Sequence, residues 1–289
     1  MANTQGLKQR IRSVKSTRQI TKAMQLVAAS KMRKVQEATK ASSPYTLAAR
    51  EILAELATHT SVKEHPLFVV RPLENRLIIL IASDKGLAGA YNSNVTRLYA
   101  QELLASHKAG VHTSTLTIGR KSAQFVSRIK DHDVIGSYEE LPDRPDGSEL
   151  RAILDTIKDL YTTCHVDAVD IVYTDFVSSI NQVAKTIRVL PAGTDEVQEA
   201  GHSRDVVYEP SMMEVLDGIA FRLIGAQLFQ SLLDSRASEY SMRMLAMKNA
   251  SDNASDLIDD LSLAMNKARQ GAITQELAEI SGGAEALNE

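Results

Sequence analysis

The sequence is poor in the residues that break helices. All seven prolines fall between Pro44 and Pro210, so the first 43 residues and the last 79 contain nothing that forbids a continuous helix. The chain thereby divides into three parts, and its 289 residues suffice for one large core or two modest ones. Cysteine is represented by Cys164 alone. This excludes an internal disulfide, and the adjacent His165 does not make a metal site by itself. Long apolar runs are missing as well: the longest aliphatic stretch, Leu77 to Ala82, is far short of the roughly 20 apolar residues a membrane-spanning helix needs. The start, MANTQGLKQRI, lacks the apolar core of a secretory signal, and a helix beginning so early leaves no room for an obvious transit peptide. Residence in a bacterial-type cytoplasm is expected, with no insertion into the membrane.

Catalytic signatures are also missing. There is no HExxH, no GxSxG and no Cys-x-x-Cys, and the seven histidines are scattered. SDKGLAGAYN, Ser83 to Asn92, lies between an expected strand and an expected helix, where a phosphate-binding loop would sit. It lacks the third glycine of the dinucleotide fingerprint and the Gly-Lys-Ser/Thr of a P-loop. Asp84 could hold a metal at the strand end, but no recognisable motif supplies a second carboxylate. The expectation here is a tight turn that uses Gly86 and Gly89 for their backbone freedom, with no cofactor bound.

Acidic residues are scarce at the start. Residues 1–40 contain ten Lys or Arg against Glu37 alone, a local charge near +9 that leaves the remainder near −12. Such a basic helix suits nucleic acid, an anionic membrane surface or an acidic protein loop, and charge does not choose among them. The absence of aromatics from residues 1–40 removes the stacking platform of a single-strand binder, so nucleic acid is not the expected partner.

What the sequence does have is a sustained heptad. From Leu216 to Ala272 one set of positions reads Leu216, Leu223, Gln230, Ala237, Met244, Ser251, Ile258, Met265, Ala272; the other reads Ile219, Ala226, Leu233, Tyr240, Met247, Ala254, Leu261, Ala268. Only Gln230 and Ser251 are polar. A stripe kept in phase this long predicts a left-handed coiled coil. At 1.5 Å per residue it would extend ~85 Å, against a radius of gyration of about 19 Å for a compact chain of this length. The helix should therefore project from the globular body, and the proline-free N-terminal segment is the expected antiparallel partner. In that segment Leu7, Ile11 and Val14 form one apolar face while Ile20, Met24 and Val27 lie on another. Residues 23–32 are apolar on most sides, which predicts enclosure by protein, in part by a sleeve from other subunits.

Between Asn75 and Pro210 the pattern changes. Leu77 to Ala82, Ser114 to Ile118 and Ala168 to Thr174 read as buried strands; Asn92 to Lys108, Lys121 to Lys130 and Ser148 to Thr163 read as helices; Asn181 to Leu190 reads as an edge strand. The fold class expected is α/β: a long antiparallel coiled coil of the N- and C-terminal helices plus a Rossmann-like open α/β domain. The divisions are 1–60, 75–210 and 211–289.

Three stretches resemble the gamma family of rotary ATP synthases. ITKAMQLVAASKM at Ile20 to Met32 resembles its N-terminal helix motif; RMLAMKNASDNA at Arg243 to Ala254 and NKARQGAITQELAEISGGA at Asn266 to Ala284 resemble its C-terminal helix. SDKGLAGAYN is similar to the family's SDRGLCG followed by Asn, with Lys85 and Ala88 in place of Arg and Cys. Cys164 alone cannot supply the regulatory dithiol of chloroplast members. The resemblance implies a non-catalytic central stalk that couples rotation of a membrane rotor ring to catalytic sites on beta subunits. Its partners would be the alpha and beta subunits, the epsilon subunit and the rotor ring, at the cytoplasmic face of a bacterial inner membrane. It implies beta-subunit contacts at Lys22, Met24, Lys31, Arg33, Arg269 and Gln270, and a rotor-ring contact at Tyr208 and Glu209. Shaft or bearing positions would be Ala28, Ala29, Ala268, Ala272, Thr274, Glu276 and Glu279. The rivals are a nucleotide-dependent enzyme built on the sheet and a coiled-coil scaffold for acidic partners.

Overall fold

The computed structural model describes residues 2–58, 65–143, 147–192 and 212–286. In chain order these form α1 (Ala2–Thr58), β1 (Asn75–Ile81), α2 (Tyr91–Lys108), β2 (His112–Ile118), α3 (Arg120–Val126), β3 (Asp133–Tyr138), α4 (Gly147–Thr162), β4 (Ala168–Phe176), β5 (Gln182–Leu190) and α5 (Met212–Ala286). The chain divides into two compact units, residues 1–28 with 243–289, and residues 29–242.

The larger unit is built on a five-stranded sheet of order β3-β2-β1-β4-β5. The first four strands are parallel and β5 is antiparallel to β4. β1, NRLIILI, is the centre of the sheet, and its near-continuous aliphatic run fits a strand covered on both faces. Ile78, Leu80 and Val172 pack with Val95 and Tyr99 of α2 and Val126 of α3. Leu77, Ile79, Ile81, Leu116, Val169 and Ile171 face the other way, into a core completed by α4, by Ala49 and Leu53 of α1, and by the Ala220 to Leu232 part of α5.

Most expected elements are present within a residue or two, with three differences. β3, DVIGSY, is an additional strand; it lies at the sheet edge with Val134 and Ile135 exposed, so it lacks the apolar run of its neighbours. α3 ends at Val126, short of Lys130. In α5 the heptad stripe is not the only buried surface: Gln227, Leu228, Ser231, Leu232, Asp234, Ser235, Ser238, Glu239 and Ser241 are buried too. Between Ala220 and Ser241 the helix is therefore enclosed on nearly all sides as a core element rather than projecting as a two-stranded coil. Apart from these differences, α1, in the segment 1–60 expected as the N-terminal helix, accommodates Pro44: Pro44 and Lys40 are both exposed, so the carbonyl that loses its helical partner opens onto the solvent side.

The turn after β1 also differs from expectation. Leu87 takes the positive φ of 60°, Gly89 has φ 57°, and Gly86 has neither a positive φ nor a neighbour crowding its missing Cβ. The position that demands glycine is Gly119, between β2 and α3. Its φ is 95°, and a Cβ there would lie 2.2 Å from the Ala82 carbonyl oxygen.

Candidate functional site

In the unit formed by the chain ends, α1 and α5 pair antiparallel. Ile11 packs with Ile258 and Leu261, joined by Leu7, Val14 and Met265, and the Arg18 guanidinium donates to Ser255 Oγ at 3.4 Å. On α5 Met244, Met247, Ser251, Ala254, Ile258, Leu261, Met265, Ala268 and Ala272, the three-four alternation of the heptad, are buried or half-buried, with Arg243, Leu245, Ala246, Ala250, Ser255 and Ser262 shielded beside them. On α1 they are Leu7, Ile11, Val14, Thr21, Gln25 and Ala28, with Met24 beside them. The seam of α1 thus continues in phase through polar Thr21 and Gln25 instead of switching faces. Ile20 (57 % exposed), Leu26 (61 %) and Val27 (59 %) are left pointing outward. Ile11 already lies against Leu261, so the described α1, which starts at Ala2, reaches no further along α5 than about Ala272. Ile273 to Ser281 are all exposed, including Leu277 and Ile280.

In the larger unit, polar chemistry gathers where the strands end. Asp84, just beyond β1, accepts the backbone N–H of Arg120 (3.1 Å) and Glu140 (3.0 Å) on Oδ1, and the Arg236 guanidinium (3.3 Å) on Oδ2. Burial alone would raise the Asp84 carboxyl, but the two N–H donors and Arg236 outweigh it and hold it below its ordinary value. Arg236 also donates to the Leu141 carbonyl at 2.9 Å and pairs with Glu239 at 3.3 Å. Burial works against its charge, but Glu239 and Asp84 keep it firmly protonated. Asp143 accepts from the Tyr240 hydroxyl and from Lys31 Nζ at 2.9 Å, and Lys31 lies over the Tyr240 ring. Burial would raise Asp143, and these two donors instead lower it. The crevice at the carboxyl ends of the strands, where doubly wound folds bind ligands, is filled here by the chain's own α5. Among the described residues no group of three or more His, Cys, Asp or Glu could hold a metal, and no helix is long and apolar enough to cross a membrane.

The family model for ATP synthase matches residues 3–287. The ATP synthase gamma chain of Stenotrophomonas maltophilia is 40 % identical over 288 residues, covering 99 % of this chain and all of that one. The chain belongs to the ATP synthase gamma family. A chain from the central stalk and c-ring structure of the Tetrahymena thermophila mitochondrial ATP synthase superposes with a TM-score of 0.63 at 26 % identity, over 80 % of this chain and 99 % of that one. A chain from the OSCP/F1/c-ring structure of the Euglena gracilis enzyme shares the fold, with a TM-score of 0.70 at 18 % identity over 99 % and 95 % of the two chains.

Within this gamma-family chain the candidate contact residues fall in different settings. Lys22, Arg269 and Gln270 are exposed and Met24 is half-buried, all in the unit of the chain ends. Ala28 is buried there, Ala268 and Ala272 are half-buried, and Thr274, Glu276 and Glu279 are exposed. The Thr274 hydroxyl donates to the Gln270 carbonyl, and Glu279 accepts from Gln275, both at 3.0 Å. Ala29, Lys31 and Arg33 belong to the larger unit. Ala29 is half-buried and Arg33 exposed, while the Lys31 ammonium already pairs with Asp143. Tyr208 and Glu209 lie outside the described residues. Sequence reasoning considers Asp84 only as a candidate metal ligand and does not single out its cluster with Arg236 and Asp143. Its available signal is a run of Ser, Asp, Arg and Glu between Ser231 and Ser241 on a helix whose heptad stripe is already filled.

Proposed function

We propose that this chain is the non-catalytic rotor shaft of a proton-translocating ATP synthase, linking rotation of a membrane ring to nucleotide affinity at catalytic sites on beta subunits. The observation that carries this is the full-length match to gamma chains. The antiparallel pairing of the two chain ends supports it, because a torque-bearing shaft needs two wound helices rather than one. Residues 1–60 and 211–289 form the shaft and 75–210 the globular foot, docked on the rotor ring with the epsilon subunit beside it, peripheral at the cytoplasmic face of the inner membrane. The alpha and beta subunits form the surrounding ring, and the chain itself holds no cofactor and binds no nucleic acid.

The outward Ile20, Leu26 and Val27 beside Lys22 and Met24 suit a surface enclosed by other subunits, with Lys22, Met24, Lys31 and Arg33 toward acidic beta loops. Arg269 and Gln270 meet a second beta loop. Small or apolar side chains at Ala28, Ala29, Ala268 and Ala272, with Thr274, Glu276 and Glu279, make a bearing that does not stick at one angle. Tyr208 and Glu209 serve the rotor-ring contact. The scaffold rival would carry the heptad and the basic helix but gives no reason for a match along the whole chain.

The test is affinity purification of the tagged chain from its native membranes, with subunit identification and an ATPase assay. Alpha, beta, epsilon and ring subunits with ATPase activity are expected. Recovery of the chain alone, or with nucleic acid, would sink the proposal.

A further inference from the structure

The way α5 is bonded to the end of the sheet carries a role that the contacts with other subunits do not. β1 pairs with β4 only as far as Leu80 opposite Val172, whereas β4 continues to Phe176 and pairs there with β5 on its other side. Beyond β1 the main-chain groups of β4 that point away from β5 would be orphans, which a buried site does not tolerate. α5 supplies the partners. The Thr174 N–H donates to Ser235 Oγ at 3.3 Å, and the Ser238 hydroxyl donates to the Thr174 carbonyl at 3.3 Å. One step further, the Ser241 hydroxyl donates to the Ser179 carbonyl at 2.6 Å and receives Gln182 Nε2 at 3.3 Å. Ser235, Ser238 and Ser241 are all buried.

Between these serines project the two arms described above. Arg236 reaches Asp84 and the Leu141 carbonyl, and Tyr240 reaches Asp143, which also holds Lys31 of α1. Two turns of one helix are thus bonded to the segments following β1, β3 and β4 and to the other terminal helix. Successive residues of a helix are ~100° apart around its axis. Turning α5 by even one residue position would take three serines, Arg236 and Tyr240 off their partners together.

We propose that Ser235 to Ser241 form a rotational key that locks α5 into the α/β foot, with the Arg236–Asp84 pair and the Ser235–Thr174–Ser238 bonds as its positioning contacts. The inference rests on the rotor-shaft reading. Apolar packing is non-directional and by itself sets no single angle for a helix about its axis. Hydrogen bonds with fixed geometry resist rotation instead. The polar, serine-rich makeup of a helix segment enclosed on nearly all sides follows from that requirement.

The test uses the whole complex reconstituted in vesicles, with ATP hydrolysis and ATP-driven proton uptake read on the same preparation. The unaltered complex must pump, which checks the rotor-shaft reading independently. With Arg236→Leu and Ser238→Ala combined, hydrolysis by the assembled complex is expected to persist while protons moved per ATP fall at least two-fold; Arg236→Lys is expected to recover part of that loss. A role in stability alone would reduce the amount of complex without changing that ratio. A milder variant guards against a weakened fold: Ser238→Ala alone leaves the Arg236–Asp84 pair in place and is expected to lower the ratio by less than the double variant does. An unchanged ratio in both variants overturns the key.

Discussion

Asp234 sits on α5 with most of its carboxyl buried, accepting from Gln230 Nε2 at 3.0 Å, with the carboxylate of Asp175 and the ammonium of Lys185 among its neighbours. Desolvation and the like charge of Asp175 push it up to about 7 from the ordinary carboxyl value of 3.8. A carboxyl raised on folding binds more protons in the folded chain between these two values. The stability it contributes is complete below the unfolded pKa and is lost as pH rises through about 7. Asp234→Asn keeps an acceptor for Gln230 and removes the titration. The full chain carrying it is expected to gain roughly 2–4 kcal/mol relative to the parent on going from pH 4.5 to 8.5, read by urea denaturation at the two pH values. A parent whose stability changes no more steeply than the variant's across that range rules the argument out. At Gly119 the conflict is steric: a methyl group 2.2 Å from the Ala82 carbonyl oxygen forces the backbone to move. Gly119→Ala should lower stability by at least ~2 kcal/mol, equivalent to a melting temperature lower by about 4–8 °C. Gly86→Ala, with open space and no positive φ, serves as the near-neutral control.

At the scale of elements, the α1–α5 pairing makes a sharp prediction because its seam is narrow. Ile258→Ala removes a side chain packed on Ile11 and should cost about 2–4 kcal/mol locally, seen as faster amide exchange along Leu7 to Val14. Leu263→Ala, on a side chain 73 % exposed, should leave exchange unchanged. Legibility of the elements follows the strength of their periodicity. The heptad from Met244 to Ala272 is readable because every seam position but Ser251 is apolar and most positions between them are exposed. The matching seam on α1 is disguised: Thr21, Gln25, Thr39, Ser42 and Thr46 occupy buried or half-buried places while Ile20, Leu26 and Val27 face out. Apolar spacing therefore points to the wrong face between Val14 and Ala28, from where buried Ala28, Met32 and Val35 make the seam apolar again. β1 and β4 are legible as buried runs, and β3 is not, because an edge strand with a glycine at Gly136 needs neither alternation nor bulk. Arg236 and Asp84 are 152 residues apart in sequence, so nothing local announces their pairing. The positive φ at Leu87 likewise goes against the residue preference that pointed to Gly86.

For the whole molecule the decisive question is whether the exposed surface of α1 works as a moving contact. Met24 is half-buried, between outward Ile20 and Val27 and next to exposed Lys22, so a lysine at 24 would place its ammonium on the same surface. If that surface passes acidic beta loops, Met24→Lys adds an ion pair that must be broken at every step. At 4 Å such a pair is worth between ~1 kcal/mol in water and ~4 kcal/mol near a protein surface. Even the lower figure slows the step about five-fold, since ~1.4 kcal/mol is tenfold in rate. The substitution is expected to lower protons pumped per ATP in the reconstituted complex. An exposed ion pair is screened over a Debye length of about 8 Å at physiological ionic strength, so the deficit should also shrink as salt is raised. A change in helix packing at Met24 would give a deficit that salt does not relieve, and an unaltered pumping ratio would place Met24 away from the beta loops.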